Sequence, residues 1–276
     1  MNIILKNIKQ LIGITENSDT IKKGKAQGEV KTLENAYLKV RNNIIDSFGP
    51  MSECPELSMD SHDCAGRLVL PMYVDSHTHL IFAESRSGEM KMRLHGKSYQ
   101  EIAETGGGIR NSAAKLNAMS EQQLYEEAQE RIGNVIKQVT GAIEIKSGYG
   151  LNIEDEMKML RVIRVLKSLS PIPIKATFLG AHALPTAFKN NKDAYMYLVT
   201  KEMLPRIAGE GLADYIDIFC ETGYFSLDDL KQVIEAGDKH GLKAKVHVNQ
   251  FSSFGAVKMA CEMGALSVDH LEIMNE

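Results

Sequence analysis

The sequence has no basic block, no long apolar run and no closely spaced cysteine pair, and each absence removes a class of function. Lys and Arg number 32 against 36 Asp and Glu, a formal net charge of -4 over 276 residues. Nucleic-acid binding is driven by counterion release and needs clustered cations, as does attachment to an anionic membrane surface, so neither is expected. The longest apolar stretch, around Leu68 to Val74, falls far short of the roughly 18 residues a membrane span requires. The opening MNIILKNIKQLIGI is interrupted by Lys6 and Lys9 and has no small-residue cleavage site, so no secretory signal is expected and the cytoplasm is the expected location. Cys54, Cys64, Cys220 and Cys261 form no C-x-x-C pair in a chain too large to need staples, and they read as free thiols. With 43% hydrophobic residues, the composition is that of an ordinary globular protein, and a small ligand is the default partner.

Two textures are present. Up to residue 70, short β-type runs (Ile3 to Leu5, Ala36 to Val40, Asn43 to Ile45, Arg67 to Leu70) are broken by Gly, Asn, Ser and Pro, and no helix of any length is expected. From Pro71 onward, apolar runs of about five to eight residues alternate with amphipathic stretches, the rhythm of βα units. Strands are expected at Leu70 to Asp75, Gly141 to Ile145, Ile174 to Leu179, Tyr215 to Phe219, Ala244 to Val248 and Leu266 to Val268. Helices are expected at Ser120 to Gln138, Glu154 to Leu169, Tyr195 to Glu210, Ser226 to His240 and Ser253 to Met263. The first of these opens on a Ser-x-x-Gln capping box and carries Leu124, Ala128, Ile132, Val135 and Val139 at helical spacing. Gly211, Gly241 and Gly264 stop three helices. The reading is an α/β chain: a (β/α)8 TIM-type barrel truncated after about six strands (71-276), preceded by a small N-terminal β-sandwich portion (1-70). The roughly 206 residues from Pro71 onward fall short of the roughly 250 a complete barrel uses.

Candidate chemistry clusters at the strand ends. In Asp75-Ser76-His77-Thr78-His79 the two histidines sit two residues apart, so both project to one side and can converge on a metal. His182, His247 and His270 follow three further apolar runs, whereas His62, His95 and His240 lie elsewhere. In a parallel barrel all C-terminal strand ends face one mouth. A mononuclear site of His77, His79 and His247 would leave coordination positions open for water, as a hydrolytic metal needs. In Glu144-Ile145-Lys146-Ser147-Gly148-Tyr149-Gly150, Lys146 reads as a solvated lysine, and Tyr149 as a phenol held forward between glycines. Arg86 is either a surface charge or a planar fork for a substrate carboxylate. Gly106-Gly107-Gly108 lacks the residues of a phosphate loop and reads as a mobile or closely approaching loop. Glu154-Asp155-Glu156 reads as favourable charge at a helix N-terminus.

The segment Pro71 to His79 resembles the first-strand motif of the amidohydrolase superfamily. HTHLIFAESR (77-86), GGGI (106-109), EIKSGYGL (144-151), TFLGAHALP (177-185), DIFCE (217-221), HVNQF (247-251) and DHLE (269-272) extend that resemblance, in order, to the imidazolonepropionase family. The resemblance implies hydrolysis of the cyclic amide of 4-imidazolone-5-propanoate to N-formimidoyl-L-glutamate, with zinc or iron as the metal. It also implies that His77, His79 and His247 are the ligands, that Arg86, Tyr149, His182, Gln250 and Tyr99 contact substrate, and that His270 lies near the reacting water. His182 is expected beside the developing oxyanion and His270 in proton transfer, and a homodimer is the candidate assembly. Met72 replaces the glycine that usually follows the proline. The superfamily's eighth-strand aspartate has no counterpart before Glu276, so a chain of this length is expected to be inactive or nearly so by itself. The rival readings are another amidohydrolase, such as a heterocycle aminohydrolase, and a non-catalytic remnant.

Overall fold

A computed structural model describes residues 1-15, 22-56, 60-98, 101-102 and 106-274. Tyr99 lies outside the described residues. The chain divides into two compact units, Met1–Met72 and Tyr73–Glu276.

The first unit is a five-stranded sheet. Strand β1 (Ile3–Ile12) pairs antiparallel with β2 (Thr32–Arg41), which pairs antiparallel with β3 (Ile44–Pro50). The short strands β4 (Ser61–Asp63) and β5 (Leu68–Val69) both run parallel to β1. Strands β1 and β2 are each ten residues long, where the sequence suggested runs of three and five. Asn7 explains part of the difference: it adopts φ 54° at a register shift between Leu5 and Ile8, so the polar residue that looked like a strand breaker is a bulge within one strand. Asn42 and Asn43, at φ 53° and 64°, make the tight turn between β2 and β3. Ile8, Leu11, Ala36 and Cys64 form the small core.

The second unit carries six parallel strands, β6 (Tyr73–Thr78), β7 (Thr140–Lys146), β8 (Ile174–Ala181), β9 (Tyr215–Cys220), β10 (Lys243–Val248) and β11 (Ser267–His270), hydrogen-bonded in chain order. The sheet curls until its first and last strands meet through side chains, with His77 Nδ1 3.0 Å from Asp269 Oδ2. The first strand begins three residues later than expected because the apolar run is shared: Leu68 and Val69 pair with β1, and only Tyr73 onward joins β7. That shift draws His77 into the strand itself. Among the described residues β6 and β11 are each paired on one side only, and Tyr73, Val74 and Leu266 are exposed there.

The expected helices form, with two corrections. Ser120 caps the helix Glu121–Lys137 in a reciprocal capping box with Gln123, and Leu124, Ala128 and Ile132 are buried on its inner face. Val139 lies past the helix end at φ 64° and is exposed, because Thr140 already opens the next strand. The helical stretch from Lys192 to Gly209 contains a π-helical turn at Leu198–Met203, just before Pro205, whose missing N–H cannot continue an α-helical ladder. Two helices that the sequence did not suggest, Ser87–Leu94 and Gly108–Asn117, precede the capping box. The core lies between sheet and helices, with Ile145, Phe178, Ile216 and Val246 against Leu124, Leu160, Leu166 and Val233. No helix of the described residues is long and apolar enough to cross a membrane, and all four cysteines are free thiols.

The loop after β7 is fixed from below by Glu156. Its carboxylate is fully buried and accepts the backbone N–H groups of Gly148 (3.0 Å), Gly150 (2.8 Å) and Leu151 (3.0 Å). A residue that read as helix-end charge thus shapes the Gly148-Tyr149-Gly150 turn. Gly150 has no alternative, since a Cβ there would stand 2.3 Å from the Glu156 nitrogen. Glu156→Ala would strand three buried donors, and urea denaturation should show a loss of about 3 to 5 kcal/mol. Glu156→Gln keeps one acceptor oxygen and should lose less; equal stability in the alanine variant and the parent would refute the clamp.

Candidate active site

Three imidazoles converge at the C-terminal ends of β6 and β10. Ligand atoms of His77, His79 and His247 all lie within 4.8 Å of one another, and His79 Nε2 faces His247 Nε2 at 3.3 Å. Two nitrogens bound at about 2.0 to 2.1 Å to one tetrahedral ion stand roughly 3.3 Å apart, so the spacing is that of a coordination edge. Burial, followed by the neighbouring imidazoles, holds the pKa of both His79 and His247 well below the usual histidine range. Neutral rings that face each other through lone pairs repel unless a cation or a shared proton lies between them. His79 Nδ1 is also buried with no hydrogen-bond partner. The donor set therefore fits a metal ion.

Beneath the imidazoles lies a buried layer of charge, where the sequence reading of Lys146 is overturned. Lys146 is 0% exposed, because alternation along β7 turns it, with Glu144, into the sheet's concave interior. Its ammonium contacts Glu144 Oε1 (2.7 Å), Asp217 Oδ2 (2.9 Å) and Asp269 Oδ2 (3.5 Å). Burial lowers its pKa, but the Asp217 and Glu144 carboxylates outweigh that and hold the group protonated. Lys245 reaches Glu144 Oε2 at 2.8 Å from the other side. Asp217 Oδ2 lies 2.8 Å from His247 Nδ1, off the line of an ideal hydrogen bond, and Asp217 Oδ1 accepts the His247 backbone N–H at 3.1 Å.

The other candidates surround a cavity of about 130 Å³, on whose wall Arg86, Tyr149, His182, Gln250 and His270 meet His79 and His247. Ile109 and Phe219 complete the lining. His182 stacks on His79 with ring centroids 5.0 Å apart and planes 7° from parallel. Its Nδ1 lies 2.9 Å from the Gly148 carbonyl, which can only accept, so Nδ1 carries the proton and Nε2 presents a lone pair. That tautomer suits an acceptor rather than the oxyanion donor expected from the sequence. Arg86 Nε and Nη2 both donate to Glu89 Oε2, at 2.8 and 2.5 Å, while Glu89 Oε1 accepts the Gly108 N–H at 2.9 Å. The glycine run thereby approaches Arg86 closely. Gln250 is placed by Glu221, whose Oε2 accepts the backbone N–H groups of Gln250 and Phe251, both at 2.9 Å. His270, at φ 80°, sits with its ring 5.3 Å from that of His77 and 5.0 Å from that of His247. Sequence reasoning missed Glu89, Asp217, Glu221 and Asp269 as individuals; three of them lie inside the DIFCE and DHLE segments, where they read as motif letters without partners.

A scan of protein-family models matches none. Among solved structures, a 5-methylcytosine deaminase from Klebsiella pneumoniae liganded with phosphonocytosine superposes at TM-score 0.63 with 15% identity, over 96% of this chain and 57% of that one. A guanine deaminase from C. acetobutylicum superposes at 0.57 with 14% identity, over 98% and 62%. At 14 and 15% identity these superpositions show the fold, which the chain shares with the two deaminases. The imidazolonepropionases of Christiangramia forsetii and Flavobacterium johnsoniae are each 49% identical to the chain, over 100% of its length and 67% of theirs. That of Shewanella denitrificans is 43% identical over 88% of the chain and 61% of its own length. The chain belongs to the imidazolonepropionase family and spans about two thirds of the length of these relatives.

His182 makes stability depend on pH in a defined direction. Burial pushes its pKa down to about 4, below the roughly 6.5 of an unfolded histidine. The unfolded chain therefore binds more protons between those values, and stability present above pH 6.5 is lost as pH falls toward 4. The contribution of His182 corresponds to about 2 kcal/mol lost between pH 7 and pH 5. Urea denaturation of His182→Asn should show a shallower decline over that interval, and an undiminished decline would place the protonation elsewhere.

Proposed function

We propose that the cavity hydrolyses the cyclic amide bond of 4-imidazolone-5-propanoate, giving N-formimidoyl-L-glutamate, with one metal ion held by His77, His79 and His247. The observation that carries the reading is the 3.3 Å approach of His79 Nε2 to His247 Nε2 beside a cavity that also holds an arginine and a tyrosine. Imidazole donors suit zinc or iron, the two metals proposed. When bound, the ion supplies Lewis acidity that makes water nucleophilic at neutral pH.

The remaining work falls to the chain's own side chains. Arg86 and Tyr149 line the same cavity and would hold the propionate carboxylate, with Glu89 fixing the guanidinium fork in place. His182 would accept a hydrogen bond from the substrate's ring N–H through its bare Nε2, turning the ring to present its carbonyl carbon. Water adds to that carbon, the carbon–nitrogen bond breaks, and the departing nitrogen takes a proton. His270 would carry this proton, since its ring borders His77 and His247 and its Nδ1 lies 3.6 Å from Glu272 Oε1. Gln250 would hydrogen-bond the ring from the opposite wall, its position set by Glu221.

Two measurements test the reading. Elemental analysis of the purified chain should find zinc or iron, and His77→Ala and His247→Ala should lose it; equal metal in all three would sink the ligand assignment. Where turnover of imidazolonepropanoate is followed by loss of its ultraviolet absorbance, Arg86→Ala and Arg86→Lys should lower kcat/KM roughly ten- to more than a hundredfold, the worth of a bidentate charged pair. Wild-type rates in both variants would put carboxylate recognition elsewhere.

A further inference from the structure

We infer that Lys146 is a positioning residue for the metal site: by holding Asp217 and Asp269 together, it fixes the orientation of two of the three imidazole ligands. The inference rests on the reading of His77, His79 and His247 as ligands. Asp217 Oδ2 lies 2.8 Å from His247 Nδ1, and Asp269 Oδ2 lies 3.0 Å from His77 Nδ1. Both of those same oxygens contact the Lys146 ammonium, at 2.9 and 3.5 Å. One buried cation therefore touches both carboxylates that lie against Nδ1 of these two rings, and with Nδ1 so flanked Nε2 is the nitrogen left to face a metal. The two imidazoles stand on strands β6 and β10, and the two aspartates on β9 and β11. Lys146, from β7, is the group that joins them. No role in binding substrate falls to it, since it is 0% exposed and absent from the cavity wall.

The charge count makes the inference sharp. Three carboxylates, Glu144, Asp217 and Asp269, meet two ammonium groups, Lys146 and Lys245, in this layer. By Coulomb's law alone, deleting a cation beneath a metal site would tighten metal binding. Positioning predicts the opposite. Without Lys146 the Asp217 and Asp269 carboxylates share no cation, and like charges so placed move apart. The rings then lose the carboxylates that orient them at Nδ1, and partners of this kind are typically worth about 10- to 100-fold in metal affinity.

The test is Co(II) titration of the metal-stripped 276-residue chain, read by its visible d–d absorption and by competition with a chelator. Lys146→Met should raise the Co(II) dissociation constant about 10- to 100-fold, and Asp217→Asn should do the same. The double variant should add little to either, because the lysine acts through the aspartate. Thr177→Val, which removes a hydroxyl bonded to the Glu144 oxygen that meets Lys146 (2.5 Å) but leaves the lysine and both aspartates in place, should leave Co(II) affinity unchanged. Binding as tight as or tighter than wild type in Lys146→Met would overturn the inference, as would full additivity in the double variant or an equal loss in Thr177→Val. If Lys146→Met fails to fold, Asp217→Asn and Asp269→Asn decide, and wild-type affinity in both overturns it. A wild-type chain that binds no Co(II) would instead refute the ligand assignment itself.

Discussion

Holding His79 and His247, both kept neutral by burial, with their Nε2 atoms 3.3 Å apart is unfavourable unless something orders them. Burial removes the water that would otherwise separate them, and His77 brings a third ring to within 4.5 Å of His247 by ring centroids. The fold meets this constraint from beneath, with carboxylates against Nδ1 of His77 and His247 and buried lysines that balance the carboxylates. The strand ends, the curl of the sheet and the inward face of β7 all serve that arrangement. Paired charges in an interior are weak sources of stability, so the layer is better understood as the framework of the site than as a reinforcement of the core.

A second level of support fixes the loops. Glu156, Glu221 and Glu89 each turn a carboxylate toward backbone N–H groups of a segment that bears a cavity residue, respectively Tyr149, Gln250 and the glycine run near Arg86. Backbone amides offer carboxylates a charge-assisted bond without a counter-charge. The cavity wall is therefore set by acids that take no part in the wall themselves.

Much of this was legible in the sequence, and the part that was not has a physical reason. The strand-end histidines could be read because a period of two and a shared mouth are local rules. The capping box at Ser120 could be read for the same cause. Lys146 could not be placed by residue type, since lysine is usually exposed, although Glu144 and Lys146 flanking Ile145 on one face of a strand was a usable sign of a charged interior. Its partner Asp217 is 71 residues away, and no local pattern records that pairing. Asn7 and the apolar run at Leu68 to Val74 misled because a bulge and a shared run both break the one-strand, one-segment rule. Tyr99 falls outside the described residues.

The sequential order of the six strands has a consequence for how the chain is made. Each βα unit can dock beside the one before it as synthesis proceeds, so the early units need not wait for distant sequence. The histidine cluster is the exception: His79 and His247 stand 168 residues apart and on different strands, and Asp269 arrives later still. An ion held by that cluster would therefore come too late to template the early folding of this unit and would stabilise only those molecules whose strands have assembled in register.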